Sequence, residues 1–533
     1  MRYLVAAAIM LLPLLDLGWN LTHLSSGLPD IFGLLAFARG LVENGAWPGT
    51  PYFPAGYPLL LIPFGLAGNA LLGGYLLSAG GLMLALWALY RLVRVFDGPR
   101  WLGLTAVVCG WLLPVYRLPA GSPSVDALFT GLGLWFLAAV IALWRQGTRP
   151  DSAAEDAAAG DQLAALTARE LAPWVGWGLV VPVIVMPLLR YHAAILLLPV
   201  LLVLTLWRPR VRRVLLWPWV GLICVLAFNF LSWYAAWGEP MPSVVGIQMR
   251  CGLEFAYRVN YENPEYMYLD YIGMCEHARR SSVIADYGWP LVARHTLRSL
   301  YLYMRRPPMV LLLGLAFLTL LIRRRFPAGA GILALWAVLY CLALSPAYYT
   351  PRGALLPALA AVGLSLVLAT WLAARCHIVW AGLAAAVLLL IGMSQAARYA
   401  RLVFIERNHF AQLSRQFDDL MREREWSNDE VIVTDVRVIP LRGNPWGLPF
   451  AHTEMFWTDD PAVRPEQTPG IVRLAQESVA AGPPGYRVLL FKRNHPRADE
   501  MQELLASPQW TPLTEIEEML VLVRSEQASA DGA

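Results

Sequence analysis

Long, nearly uncharged runs of apolar residues recur from the N-terminus to about residue 393, and they most constrain what this chain can fold into. Examples are Leu76–Leu89, Leu179–Leu189 and Leu383–Ile391. A bilayer core about 30 Å thick needs about 20 mostly apolar residues per helix, because backbone groups find no water there. The chain is 57% hydrophobic and 15% charged, whereas soluble domains are nearer ~45–50% and ~25%. The sequence therefore predicts a polytopic α-helical membrane protein.

Eleven segments are predicted to span the membrane: Tyr3–Leu21, Tyr75–Val93, Trp101–Leu118, Val125–Trp144, Trp174–Leu189, Ala193–Trp207, Val214–Trp237, Pro308–Ile322, Gly329–Leu344, Ala354–Leu372 and Val379–Met393. The first is interpreted as a retained span, because it is longer than a signal-peptide core and lacks a small-x-small cleavage site. Several of these runs are short, so the count carries a margin of one or two.

Arginine placement predicts the orientation. Three clusters fall on the side of Arg2 under this count, and that side is expected to be cytoplasmic: Arg91, Arg94 and Arg100; Arg208, Arg210, Arg212 and Arg213; and Arg323, Arg324 and Arg325. The other side then receives the loops 22–74 and 238–306 and everything after Met393. The acidic, Ala-rich stretch 151–170 is interpreted as a cytoplasmic linker.

The sequence predicts a membrane domain over 1–395 and an extracytoplasmic α/β domain over 396–533. Short apolar strands and helical segments alternate in the second domain: Arg401–Glu425, Glu430–Thr434, Ile471–Ala481, Arg487–Phe491, Ala498–Ala506 and Met519–Val523. It has no glycine-rich phosphate loop, and a structural cap is favoured over a catalytic role. No basic stripe outside the membrane-flanking arginines suggests nucleic acid.

The first outer loop contains the acidic residue of greatest interest. Asp30 opens an amphipathic segment that includes Leu34, Leu35 and Phe37, a pattern typical of an interfacial helix. The aspartate is either a plain helix N-cap or a general base facing a cavity. The cap reading is the more common one for an aspartate in this position.

Other polar groups interrupt or flank the apolar runs. Arg190 and His192 stand between two runs, and Arg305 and Arg306 precede another. Charges at such positions are commonly functional, yet an arginine can also snorkel to the surface and a histidine can simply hydrogen-bond within the bundle.

Two acids pose the same choice between function and structure. Asp16 lies within the first predicted span, where it is either functional or a structural partner of an arginine. Asp126 opens the fourth span and is equally well interpreted as its cap.

Cys251 and Cys275 share the loop 238–306, and a disulfide between them is one interpretation if that loop faces an oxidising compartment. No metal-ligand spacing is present.

Two stretches resemble a known superfamily. The first loop, PDIFGLLAFARGLVENGAWPGTPYFPAGYPLLLIPFG, places an aspartate after the first span, then an interfacial helix, then a Tyr/Pro-rich segment. The second, SPAYYTPRGALLP over Ser345–Pro357, is similar to a late arginine-bearing loop. Both resemble the GT-C superfamily of integral-membrane glycosyltransferases, in its protein-mannosyltransferase-like members. The chain departs from the common acidic pair, since Ile31 follows the lone Asp30.

The resemblance implies an inverting glycosyltransferase of the cell inner (plasma) membrane, acting on the extracytoplasmic side. It implies a polyprenyl-phosphate-linked sugar as donor and a glycan, lipid or protein hydroxyl as acceptor. Asp30 would then be the base, and Arg352, which stands in the second resembling stretch, the main phosphate-binding group. From their positions at helix ends, Arg190, Arg305 and Arg306 are candidates for further phosphate ligands, and His192, Asp126 and Asp16 are candidate accessory groups. The resemblance establishes no cofactor, and a divalent cation stays an open possibility.

Two other functions fit a membrane protein of this kind. A transporter or flippase for lipid-linked saccharides would carry internal repeats and polar groups at mid-membrane, whereas the polar groups here gather at the predicted outer face. A non-catalytic assembly protein would bind a partner through its outer domain. A glycan ligase using a diphosphate-linked donor is a variant of the transferase.

Overall fold

The computed structural model describes most of the helical segments and part of the C-terminal domain. It covers residues 2–22, 30–43, 45, 54–113, 123–146, 172–190, 192–207, 211–237, 283–324, 326–327, 329–345, 352–376, 379–427, 430–433, 451–452, 487–492, 498–516 and 519–525. The predicted acidic linker, the cysteine pair, the aromatic part of the loop after residue 238 and the helix Ile471–Ala481 lie outside these residues. The chain divides into two compact units.

The first unit comprises Met1–Leu17, Leu77–Pro242 and Tyr287–Ala400, and the second comprises Gly18–Leu76, Ser243–Asp286 and Arg401–Ala533. Fourteen helices are described before the C-terminal sheet: α1 Arg2–Thr22, α2 Asp30–Glu43, α3 Gly56–Leu66, α4 Ala70–Val95, α5 Arg100–Leu112, α6 Val125–Gln146, α7 Pro173–Leu189, α8 Ala193–Trp207, α9 Arg212–Trp237, α10 Val283–Met304, α11 Pro307–Arg323, α12 Ala330–Leu344, α13 Leu355–Cys376 and α14 Val379–Glu423.

A described helix coincides with every one of the eleven predicted spans. Five helices are long and apolar enough to cross a membrane, or six if the bent pair α10–α11 counts as one span. The other apolar helices are shorter than 18 residues within the described part of the chain. The helical membrane architecture is therefore confirmed, and the count of eleven stays a prediction.

The interior of the first unit depends on small residues that let helices approach closely. A Cβ built on Gly131 of α6 would lie 2.4 Å from the carbonyl oxygen of Gly81 on α4. Gly178 of α7 accommodates the indole of Trp135 in the same way, at 2.5 Å. Small residues at helix contacts are the usual means of tight packing between membrane helices, where the hydrophobic effect contributes little. Helix α13 is almost entirely buried and lies in the centre of this packing.

The described arginines of the three clusters lie at one end of the first unit. The Arg145 guanidinium at the end of α6 bonds the Val95 carbonyl and, at 2.8 Å, the Asp97 carboxylate at the end of α4. The Arg91 guanidinium contacts the rings of both Trp87 and Trp174, so α7 begins at this end too.

Further helix contacts bring the remaining clusters to the same end. Helix α9 runs parallel to α7, because Gly221 packs against Ile184 and the Asn229 amide reaches the Pro187 carbonyl. Arg212, the first residue of α9, therefore lies at the end of the unit where α7 begins. Gly329, just after the third cluster, packs against Ile141 and Trp144 near the end of α6. The predicted grouping of the clusters on one side is consistent with these contacts.

A break in the backbone separates α10 from α11. The two helices are bent by 85°, and Arg306 at the break is extended, with φ −61° and ψ 132°. The residue before a proline is disfavoured in the helical region, while proline suits the first helical position; Pro307 and Pro308 thus end one helix and begin the next. The sequence predicted a loop over 238–306 here, because α10 mixes apolar residues with charged ones and contains Pro290. The structure interrupts α10 at Gly288, whose φ is 75°.

In the second unit, α2 begins at Asp30 as predicted and packs against α3. Its apolar residues Leu34, Leu35, Phe37 and Ala38 are buried by protein, so the face that suggested an interfacial helix is covered. Tyr57 of α3 is completely buried, and its hydroxyl donates to the Gly74 carbonyl at 3.3 Å. Sequence analysis did not identify α3 as a separate helix.

The C-terminal domain is built on a five-stranded sheet in the order β2-β1-β3-β5-β4. The strands are β1 Val431–Val433, β2 Ala451–His452, β3 Val488–Lys492, β4 Trp510–Ile516 and β5 Met519–Arg524, and a helix α15 spans Ala498–Ala506. Strands β2, β1 and β3 are parallel, whereas β5 pairs antiparallel with β3 and β4. Leu413, Phe417 and Met421, near the end of α14, pack on this sheet. The predicted α/β domain is confirmed.

Candidate active site

A half-buried ion pair joins α7 to α6 at the end of the first unit opposite the arginine clusters. Nη2 of Arg190 lies 2.8 Å from Oδ1 of Asp126, and the two side chains are 25% and 14% exposed. The second carboxylate oxygen accepts a hydrogen bond from the Ser124 hydroxyl at 3.3 Å. In a partly desolvated place, a pair with these extra hydrogen bonds fixes the direction of the guanidinium.

Ser124, and not Asp126, caps α6. The Asp126 N–H donates to Ser124 Oγ at 3.1 Å, the bond that an N-cap serine makes. Ser124 is itself held by Ser78 of α4, whose Oγ accepts the Ser124 N–H at 2.7 Å. The carboxylate of Asp126 is therefore available to bind Arg190, and it lies in the first turn of α6, where a negative charge favours the helix dipole.

Local sequence explains why Arg190 stands at a helix end. Helix α7 contains Pro182 and Pro187, and it stops at Leu189 with Arg190 extended at φ −148°. The Pro187 carbonyl is one of the last four, which have no intrahelical partner; the buried Asn229 of α9 donates its side-chain N–H to it at 3.4 Å.

His192 follows in the short connection between α7 and α8, outside both helices. Its ring makes an edge contact with Phe129, with ring centroids 5.2 Å apart, and lies 6.5 Å from the ring of Tyr340. Burial, and then the neighbouring Arg190 charge, lower the pKa of His192 to about 4, with Asp126 opposing the shift. The imidazole is therefore neutral near pH 7 and adds no positive charge beside Arg190.

Tyrosines complete the cluster. The hydroxyl of Tyr340 lies within electrostatic range of Asp126, Arg190 and Tyr303. The ring of Tyr340 stacks on that of Trp336, with the ring centroids 5.3 Å apart. Sequence analysis singled out neither Tyr303 nor Tyr340, because each sits in a hydrophobic stretch that reads as ordinary core. A tyrosine hydroxyl needs a polar partner when buried. The presence of these tyrosines in otherwise apolar helices was therefore the available sequence signal.

The other predicted phosphate ligands belong to the same end. Arg352 opens a 3-10 turn, Arg352–Ala354, that leads into α13, and Leu356 lies against Gly133 of α6 beside Met186 of α7. Arg305 is exposed with its guanidinium over the ring of Tyr301 at 5.8 Å, and the half-buried Arg306 follows at the bend. The side chain of Arg352 lies outside the described residues.

Asp16 and Asp30 are the remaining predicted site residues. Asp16 is 7% exposed, and its Oδ2 accepts a hydrogen bond from Trp111 Nε1 at 2.9 Å. The structural role predicted for Asp16 named an arginine as its partner, and one partner in the structure is this tryptophan. Asp30 starts α2 in the second unit, and its side chain is not among the described ones. Among the described residues, no group of three or more His, Cys, Asp or Glu side chains is arranged to hold a metal ion.

The fold is shared with two solved structures over almost the whole chain. The chain is similar to the crystal structure of ArnT from Cupriavidus metallidurans in the apo state, with a TM-score of 0.52, 14% identity, and 99% of this chain and 98% of that chain covered. The structure of the same ArnT bound to undecaprenyl phosphate gives a TM-score of 0.51 at 13% identity with the same coverage. No protein-family model matches the sequence, and no curated protein matches it significantly.

Proposed function

We propose that the chain is an inverting glycosyltransferase that moves a sugar from a polyprenyl-phosphate donor to an acceptor hydroxyl on the extracytoplasmic side of the inner (plasma) membrane. One observation carries the proposal: the chain shares the fold of ArnT, a protein solved with undecaprenyl phosphate. Arg190 lies at the same end of the first unit as the turn Arg352–Ala354, and Arg306 bonds Tyr303, which lies near Tyr340 at that end. Guanidinium groups suit phosphate because they are planar, permanently charged and bidentate.

The reaction is a single displacement. The acceptor hydroxyl oxygen forms a bond to the anomeric carbon while the bond from that carbon to the lipid phosphate oxygen breaks. The phosphate leaves with the electron pair, and the acceptor proton passes to a carboxylate, which we assign to Asp30. One displacement at the anomeric carbon inverts its configuration.

Each arginine has a role in this scheme. Arg352, Arg190, Arg305 and Arg306 bind the lipid phosphate and stabilise the charge that develops on it as the sugar leaves. Asp126 positions Arg190 through the 2.8 Å ion pair. His192, neutral at pH 7, forms a hydrogen bond to the sugar donor or to the acceptor substrate. Asp16 supports the bundle through Trp111.

The C-terminal domain, over 396–533, is proposed to be an extracytoplasmic cap, with the N-terminus in the cytoplasm. Its described part carries an ordinary apolar core of Val431, Val488, Leu490 and their neighbours. The acceptor is a hydroxyl of a glycan, a lipid or a protein.

Reconstituted protein and a panel of polyprenyl-phosphate sugars test the proposal. Asp30→Asn is the informative variant, because asparagine caps a helix as well as aspartate but cannot take a proton. We expect transfer to fall about a hundredfold or more while the melting temperature is unchanged. The matched control is Glu43→Gln, a carboxylate-to-amide change at the other end of α2, where Glu43 pairs with Arg39 at 2.8 Å.

The outcome separates the candidate functions. A transporter or an assembly protein would show no sugar release or transfer, and lipid movement or partner binding would survive Asp30→Asn. Full transfer activity in Asp30→Asn would reduce Asp30 to a helix cap and remove the proposed base.

A further inference from the structure

A cavity of about 570 Å³ lies at the arginine-rich end of the first unit, away from the candidate active site. The first half of α1 forms one wall, and the end of α4 with the start of α5 forms the other. Val5, Ile9 and Met10 contribute the apolar side, and Arg91, Arg94 and Arg100 the charged side. This volume is within the range of sites that hold small ligands, ~300–1,000 Å³.

The charge in this cavity is unbalanced. Among the described residues that line it, three are arginines and none is acidic. The nearest described acid in sequence, Asp97, pairs with Arg145 at 2.8 Å instead. Like charges held in one concave place lower the energy of an anion there and raise its local concentration.

Arg91 differs from an arginine that merely marks the cytoplasmic side. Its guanidinium carbon lies 5.4 Å from the ring centre of Trp87 and 5.1 Å from that of Trp174. Cation–π contacts with two neighbouring rings hold the group in place in a partly desolvated environment. Its Nε is buried and has no hydrogen-bond partner within the described part of the chain. A donor in this state is suited to an acceptor oxygen from a ligand.

The apolar wall indicates what kind of anion fits. Helix α1 leaves a row of apolar side chains uncovered beside the cavity, among them Leu4 at 55%, Met10 at 56% and Leu11 at 56% exposed. A free inorganic anion gains nothing from such a surface, whereas acyl chains do. We propose that the cavity binds the phosphate of an anionic membrane lipid through Arg91, Arg94 and Arg100, with the lipid chains along α1.

The test uses the full chain, delipidated in neutral detergent, and measures its melting temperature with three additives: phosphatidylglycerol, phosphatidylcholine and inorganic phosphate. A ligand that binds only the folded state raises the melting temperature with its concentration. We expect phosphatidylglycerol to stabilise the protein at concentrations where the other two do not. Equal stabilisation by phosphatidylcholine would contradict recognition of an anionic headgroup. Equal stabilisation by inorganic phosphate would contradict a role for the lipid chains. Either result overturns the proposal.

Variants locate the site. Arg100→Gln, and Arg94→Gln with Arg100→Gln, should weaken the apparent affinity for phosphatidylglycerol about fivefold per arginine removed. The control is Arg212→Gln, at the same end of the unit, whose guanidinium bonds the Thr205 carbonyl at 2.8 Å; it should bind like the unchanged protein. Arg91→Gln is a weaker test, because the residue also packs the tryptophans. Unchanged affinity in the double variant overturns the proposal.

The chain's own acidic stretch is the competing occupant. A variant with Asp151, Glu155, Asp156 and Asp161 changed to the corresponding amides tests it. Phosphatidylglycerol should stabilise the unchanged protein and this variant alike. Stabilisation that appears only in the variant means that the acidic stretch fills the cavity, and the lipid proposal fails.

Discussion

Nη2 of Arg190 and Oδ1 of Asp126 meet at 2.8 Å across a separation of 64 residues. The pair joins the end of α7 to the start of α6, and it holds a guanidinium at the mouth of the helix bundle. Because both side chains are mostly buried, each charge is stabilised by the other, and removal of one takes a close opposite charge away from its partner.

Loss of the carboxylate should therefore cost more than the loss of an exposed pair. Asp126→Ala is expected to lower the free energy of unfolding by about 3 kcal/mol, the range for breaking a buried pair. The exposed pair Arg39–Glu43 is the control, and Arg39→Gln should cost about 0.5 kcal/mol or less. Denaturant titration in detergent compares the two variants, and equal costs would contradict a coupled buried pair.

The pH dependence of stability should carry the signature of His192. Its folded pKa is about 4, against ~6.5 for an unfolded histidine. Between these values the unfolded chain binds more protons, so stability rises with pH across that window and falls as pH drops from about 6.5 towards 4. The contribution is ~3 kcal/mol at most, since one pKa unit corresponds to about 1.4 kcal/mol.

Substituting His192→Asn keeps a neutral polar group and removes the titration. The melting temperature of the variant, followed from pH 7.5 to 4.5, should fall less steeply than that of the unchanged protein below pH ~6.5. Above that pH the two curves should run parallel. Identical slopes throughout would show that other groups cause the acid response.

The close approach of α4 and α6 leads to a third prediction. An added methyl group at Gly131 would lie 2.4 Å from the Gly81 carbonyl oxygen, a backbone atom that cannot move aside cheaply. Gly131→Ala should cost about 1–3 kcal/mol and should reduce activity, because it pushes Ser124 and Asp126 away from Ser78. Gly80→Ala is the matched control, since nothing lies within 4 Å of the added atom. Its melting temperature should be unchanged or higher.

The C-terminal domain should depend on one aromatic residue of α14. Phe417 is fully buried and packs in the cluster that includes Val488 and Val521. Phe417→Ala should cost about 3–5 kcal/mol and should make this domain sensitive to proteases. Leu505→Ala, at a position 36% exposed, should leave proteolysis unchanged. Resistance of the Phe417 variant would mean that α14 does not help to hold the sheet.

The sequence predicts the elements of this protein better than their partners. Apolar length alone locates the spanning helices, because each must satisfy its backbone within lipid. The strands β1, β3 and β5 are equally visible as buried apolar runs. Strand β4 was missed because most of its residues are exposed and it contains a proline, Pro512. Both features are tolerated because β4 is an edge strand of the sheet.

The candidate site shows the opposite case. Arg190, Asp126 and His192 were each identifiable as polar groups at the ends of apolar runs, yet their mutual contact was not. A distance between residues 126 and 190 depends on helix packing set by Gly81, Gly131 and Gly178, which no local pattern encodes. Ser124 and Asn229 likewise matter only because of the helix ends that they happen to face.

The bend at Arg306 has a further consequence. Two successive proline rings remove the amide hydrogens that a continuous rod from α10 into α11 would require. Straightening this corner into one continuous helix is therefore disfavoured by about 3 kcal/mol or more, which keeps Arg305 and Arg306 at the junction of two helices.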